Sequence, residues 1–190
     1  MTARVPTHVG HIIGASFGMV FVLVNAAGLP SAFAVPLRIA AVAVFAVVLV
    51  AFFRTVRDVR DVQTAGQPRP VSFTRFYWAV VAIEVVALFG GLAVLRQVEP
   101  AAALGWIALV VGVHFFPLAR LWEDGRTQLT SIATAMTVLG VVGLVLAFTV
   151  HDAVLVAVVS GVGSGVVLLG WPLMRAVGTL SARRSAAMGG

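Results

Sequence analysis

The chain has 190 residues, 61% of them apolar and 11% charged, and its 13 cations are all arginine. With a mean hydropathy of +1.07, that composition lies outside the range of soluble globular domains and leaves no room for an extramembrane domain of ordinary size. The absence of cysteine and lysine excludes disulfides, thiolate metal or iron–sulfur ligation, cysteine nucleophiles and Schiff-base chemistry.

A helix needs ~20 predominantly apolar residues to cross a bilayer, and six such segments are predicted, over 10–29, 35–53, 76–95, 101–121, 129–148 and 153–174. They form a single all-α domain spanning 1–190, a six-helix transmembrane bundle. Continuous apolar runs, rather than alternating ten-residue segments, select helices over a barrel.

The first segment carries Gly10, Gly14 and Gly18, two successive GxxxG steps that allow close helix approach, with His8 and His11 at its start. Arg4, the apolar run and Ala32-Phe33-Ala34 together resemble a signal peptide with its cleavage site. The run is longer than a usual signal core, so it is read as a span. The second segment continues into Arg54-Thr-Val-Arg57-Asp58-Val-Arg60-Asp61, where charges paired at i,i+4 predict a helix running past the bilayer. The basic stretch Arg54–Arg75 offers a surface to anionic lipid at ~1 kcal/mol per arginine; a solvated topology determinant is its plainer reading.

The third and fourth segments each hold one ionisable group inside the bilayer, Glu84 and His114. Such groups cost roughly 2.5 to 3.5 kcal/mol at a span centre, so each needs a partner or a task. At 1.5 Å per residue Glu84 lies ~12 Å past Phe76 and His114 ~9 Å before Arg120, depths that match. Pro117 removes one backbone bond and frees the Val113 carbonyl beside His114, predicting a break in the fourth helix. In the fifth segment Thr130, Thr134 and Thr137 share a face at similar depth, and His11 joins the same layer from the first. The connection around His151-Asp152 is so short that the last two helices form a hairpin. In the sixth, Ser160, Gly161, Ser164 and Gly165 make a second small-residue surface; without a following lysine they are packing, not a phosphate loop. Either glycine-rich surface would also suit a homo-oligomer.

With the N-terminus cytoplasmic, eleven arginines fall inside (4, 54, 57, 60, 69, 75, 120, 126, 175, 183 and 184) and two outside (38 and 96). That bias predicts both termini in the cytoplasm. It also explains a pI near 11.7 without nucleic acid. Aromatic anchors agree, with Phe76-Tyr77-Trp78, Trp122 and Trp171 at the inner interface and Trp106 nearer the outer.

A carboxyl and an imidazole at one depth can share, load and release a proton near neutrality. Glu84, His114, His11, Thr134 and Thr137 are therefore the expected substrate or proton site, and passage of a small solute or ion the leading function. A scaffold held together by those polar contacts is the alternative. A haem redox subunit is the third, and would use His11 with His114. No cofactor or metal is expected, since no HExxH spacing occurs, and no G-x-S-x-G elbow supports hydrolysis.

Gly112-Val-His114-Phe-Phe-Pro117-Leu-Ala-Arg120, with Trp106 before it and Glu84 one helix earlier, resembles a segment of a group of small bacterial multi-span membrane proteins. The resemblance covers the third and fourth helices and implies a bacterial inner-membrane location, but no activity.

Overall fold

The computed structural model describes residues 7–61, 74–121 and 126–188, with side chains over 10–54, 74–121, 126–178 and 181. The order is α1 (Thr7–Asn25), a 3-10 turn (Ala26–Gly28), α2 (Ser31–Asp61), α3 (Arg75–Val98), a 3-10 turn (Pro100–Ala102), α4 (Ala103–Leu121) and α5 (Arg126–Val150). α6 (Ala153–Val156) then passes through a π-helical turn (Ala157–Val162) into α7 (Gly163–Met188). No strand occurs among the described residues. Six helical segments are long and apolar enough to cross a membrane, the makeup of a multi-pass membrane protein.

Local chemistry sets the helix ends. Pro30 has no N–H to extend a helix, and its carbonyl accepts the amides of Phe33 and Ala34 at 2.9 Å, opening α2. Thr74 Oγ1 accepts the Tyr77 amide at 3.3 Å to start α3. Beyond Val150 the chain turns at His151, whose φ of 56° is left-handed, a conformation histidine adopts more readily than most side chains. Asp152 then caps the next helix, its Oδ1 accepting the amides of Val154 and Leu155 at 2.9 and 3.1 Å. α2 runs without interruption to Asp61. Arg57, Asp58 and Asp61 of the i,i+4 pairs have side chains outside those described, as do residues 62–73 of the basic stretch, His8 and Trp122.

The helices divide into two groups. α1, α2 and α7 enclose a core of Ala15, Val22, Ala41, Val48, Ala51, Leu169 and Ala176. α4 and α5 form the most extensive contact in the molecule, and α3 lies against α4. The sixth span joins the groups, since Leu168 packs with Ile132 and Met136 of α5, and Val111 and Phe115 of α4 border that cluster.

The interior is rich in alanine while many large apolar residues point out: Ile83 is 70% exposed, Val86 72% and Phe89 65%. A soluble domain does the reverse. In lipid there is no hydrophobic drive to bury such side chains, and association rests on close packing of small ones.

One expectation changes. α4 is a continuous helix through Pro117 to Leu121, because a proline near a helix end removes one backbone bond without preventing neighbours from closing around it. The departure from α geometry lies in the sixth span instead, at Ala157–Val162, where Ser160 and Gly161 let other helices come close. A Cβ on Gly161 would overlap Asn25 of α1, and one on Gly143 would overlap the Ser160 side chain.

Candidate functional site at the α3–α4 contact

α3 touches the molecule along one stripe. Tyr77, Val80, Val81, Glu84, Ala87, Leu88, Gly91, Leu92 and Leu95 are partly covered, at the i, i+3, i+4, i+7 spacing of one helical face, and no residue of α3 is fully buried. Two contacts fasten that stripe to α4. Gly91 receives the Trp106 ring, which a Cβ there would overlap, and Trp106 Nε1 donates to the Ala87 carbonyl at 3.1 Å. Two turns along α4, His114 meets Glu84.

His114 Nδ1 lies 3.1 Å from Glu84 Oε2, with the side chains only 11% and 20% exposed. The distance is that of an ion pair, yet the direction is not that of a hydrogen bond, and Nδ1 is a buried nitrogen without an aligned partner. On its other side the imidazole meets Phe115 edge to face, ring centroids 5.9 Å apart. The pair is thus held in a largely desolvated interface by proximity rather than by directed bonding. That leaves room for a proton or a small polar ligand to reorganise it.

The remaining expected members of the layer lie elsewhere. His11 is half-buried on α1, whose packing partners are α2, α7 and the turns beside them, whereas His114 turns toward α3. The two imidazoles that a haem would need therefore stand in different helix groups. Thr134 is exposed and its hydroxyl donates to the Thr130 carbonyl at 2.9 Å. Thr130 and Ser131 likewise bond carbonyls of their own helix. Thr137 faces α4, but at Gly112, where a Cβ would come 2.7 Å from its Oγ1. That hydroxyl is buried without a hydrogen bond. Depth along the chain was legible in each case; the direction around the helix depended on which neighbour each face met.

The small-residue surfaces divide in the same way. Gly18 and Gly165 face one another, each with its backbone oxygen within 2.8 Å of where the other's Cβ would be, so α1 and α7 cross in direct contact. Gly10 and Gly14 look onto open space. Ser160 is fully buried and donates to Leu139 O of α5 at 2.8 Å, while the Ser164 hydroxyl is buried without a partner.

A second carboxylate–imidazole pair, not anticipated from sequence, closes the end of the bundle where the α1–α2, α3–α4 and α5–α6 connections meet. Glu99 Oε2 contacts His151 Nδ1 at 2.8 Å while its Oε1 accepts the Ala101 amide at 3.2 Å. Gly28 packs on Val154 at the same end. With Glu99 and His151 separated by 52 positions in the chain, no local pattern linked them. Among the described residues no group of three or more potential metal ligands occurs. Comparison with known proteins returns no matching family model, curated relative or solved structure.

Proposed function

We propose that the protein lies in a bacterial inner membrane with both termini in the cytoplasm and passes a small solute or ion, linked to proton exchange at Glu84 and His114. The observation that carries this reading is the 3.1 Å approach of the two side chains without an aligned hydrogen bond. A contact whose role is to glue helices together is expected to be directed and satisfied; a site that loads and unloads a proton needs a group left ready to change partners. The mounting of α3 supports it too, because a helix attached along one stripe can shift with few contacts to break. The orientation rests on the eleven-to-two arginine bias.

The scaffold reading draws on a different observation. The outer face of α3 exposes Phe76, Ile83, Val86, Phe89 and Val94, a broad apolar surface that suits a membrane partner as well as lipid.

The cysteine-free chain allows a direct test. In Glu84→Cys, a membrane-impermeant thiol reagent labels the site if water reaches it, and Gly28→Cys against Ser181→Cys reports which end faces outward in intact cells. Proteoliposomes loaded with a pH-sensitive dye then measure proton entry under an imposed pH gradient, across a panel of small monovalent ions and neutral solutes. At least one solute is expected to stimulate proton entry that Glu84→Gln abolishes. No labelling of the Glu84→Cys variant, together with proton entry equal to protein-free vesicles throughout, would overturn transport and leave the scaffold.

A further inference from the structure

Arg38 stands seven residues into α2, ~10 Å along the helix axis from Ser31, inside the apolar span Ser31–Arg54. A cation there needs an anionic or backbone partner. It has part of one: its Nε donates to the Leu23 carbonyl at 3.1 Å, in the last turn of α1, where carbonyls lack helical amides and the helix dipole is negative. A guanidinium has five N–H donors, so the four on its two terminal nitrogens remain.

Among the described residues no carboxylate at this end of the bundle is available to them. Glu99 is engaged by His151 and the Ala101 amide, and Asp152 by the amides of Val154 and Leu155. Asp58 and Asp61 lie in the last turns of α2, at its opposite end, and Glu84 faces His114. Among the described residues both carboxylate pairs are with histidine, none with Arg38.

Beside the guanidinium lies a shallow, open groove with almost wholly apolar walls, formed by Leu23 of α1 and by the Arg38 stem, Ile39, Val42, Ala43 and Ala46 of α2. Spacing from Arg38 to Ala46 makes the groove run along α2 for ~12 Å toward the middle of the span, and the small Ala43 and Ala46 leave it unfilled. A cation with free donors beside a shallow apolar groove parallel to the helix matches one chemistry, an anion joined to an alkyl chain.

We infer that this groove binds an anionic membrane lipid, its headgroup phosphate on the terminal nitrogens of Arg38 and one acyl chain along Ile39, Val42, Ala43 and Ala46. The site is separate from the Arg54–Arg75 stretch, which lies at the other end of α2.

Native mass spectrometry of the purified chain, supplied with equal phosphatidylglycerol and phosphatidylcholine, tests it. Wild-type protein is expected to retain phosphatidylglycerol preferentially, and Arg38→Gln to lower that preference about fivefold, the effect of one arginine near a lipid surface. Thermal unfolding gives a parallel readout: a higher Tm in phosphatidylglycerol than in phosphatidylcholine, a difference that a purely structural role of Arg38 as the cap of α1 would not move. The double variant Ala43→Leu with Ala46→Leu keeps the arginine and fills the groove, so it too should lose the retained lipid, and it carries the test if Arg38→Gln fails to fold. Inorganic phosphate at matched concentration should produce no Tm shift, and an equal shift would assign the site to a free anion. Undiminished preference in both variants would place the lipid at the Arg54–Arg75 stretch and overturn the inference.

Discussion

α4 meets α5 on one face and α3 on another, and the two contacts differ in what separates the backbones. Toward α5 nothing does: Cβ atoms on Gly105 and Gly112 would run into the backbone at Leu144 and Thr137, and one on Gly140 into that of Leu109. Toward α3 the backbones are held apart by side chains, the Trp106 ring laid on Gly91 and the His114 ring against Glu84. Backbone cannot retreat, whereas a side chain can take another rotamer. One seam is therefore a fixed axis for the bundle and the other is adjustable, and the ionisable pair within the apolar spans belongs to the adjustable one.

The largest effect expected from this difference is at the α4–α5 seam. Gly140→Ala or Gly112→Ala should destabilise the protein by ~3 kcal/mol, the upper end of the overpacking range, because the obstructing atoms are backbone; unfolding in mixed micelles measures it. Little loss of stability would mean that the two helices can separate, and the contrast between the seams would fall.

Gly91→Ala should cost less, about 1–2 kcal/mol, since the Trp106 ring can swing away at the expense of its bond to the Ala87 carbonyl. A red shift of tryptophan emission should accompany it. Trp106→Phe tests the bond alone, at about 1 kcal/mol.

The pair itself should matter more for coupling than for stability. Glu84→Gln, His114→Gln and the double variant should each lower stability by ~1 kcal/mol or less, with a coupling energy that changes as pH carries the imidazole between its charged and neutral forms. The sign is set by the charges: an imidazolium beside a carboxylate attracts, and the attraction weakens once rising pH has neutralised the ring. Coupling should therefore decline toward alkaline pH. Additive effects at every pH would remove the pair as a single ionisable unit.

Smallest are the changes at Gly10 and Gly14, where a Cβ meets nothing. Alanine there should leave stability unchanged or raise it by up to ~1 kcal/mol through helix propensity. A loss instead, with a fall in apparent mass on size exclusion, would reveal a second copy packed on that face.

The number of spans, their order and the presence of ionisable groups at matching depth in the third and fourth helices were legible because each depends on one-dimensional quantities: hydropathy over ~20 residues and 1.5 Å of rise per residue. The extension of α2 to Asp61 belongs with them, as an i,i+4 charge pattern. Rotation about each helix axis was not legible. Hydropathy carries little information on it when nearly every residue of a span is apolar, and the moment that marks the buried face of a soluble helix fades. The GxxxG steps show the limit. Gly10, Gly14 and Gly18 look equivalent in sequence, yet among the described residues only Gly18 has another helix against it.

By itself, then, the amino-acid sequence determined how many times the chain can cross a bilayer and at which depth its polar groups lie, since apolar length and axial rise are properties of a single helix. Tertiary structure alone decided that Glu84 turns to His114 while His11 and Thr134 do not join them, that Glu99 reaches His151, and that Arg38 reaches the Leu23 carbonyl. Each is a relation between helices, set by which small residues let two backbones close together.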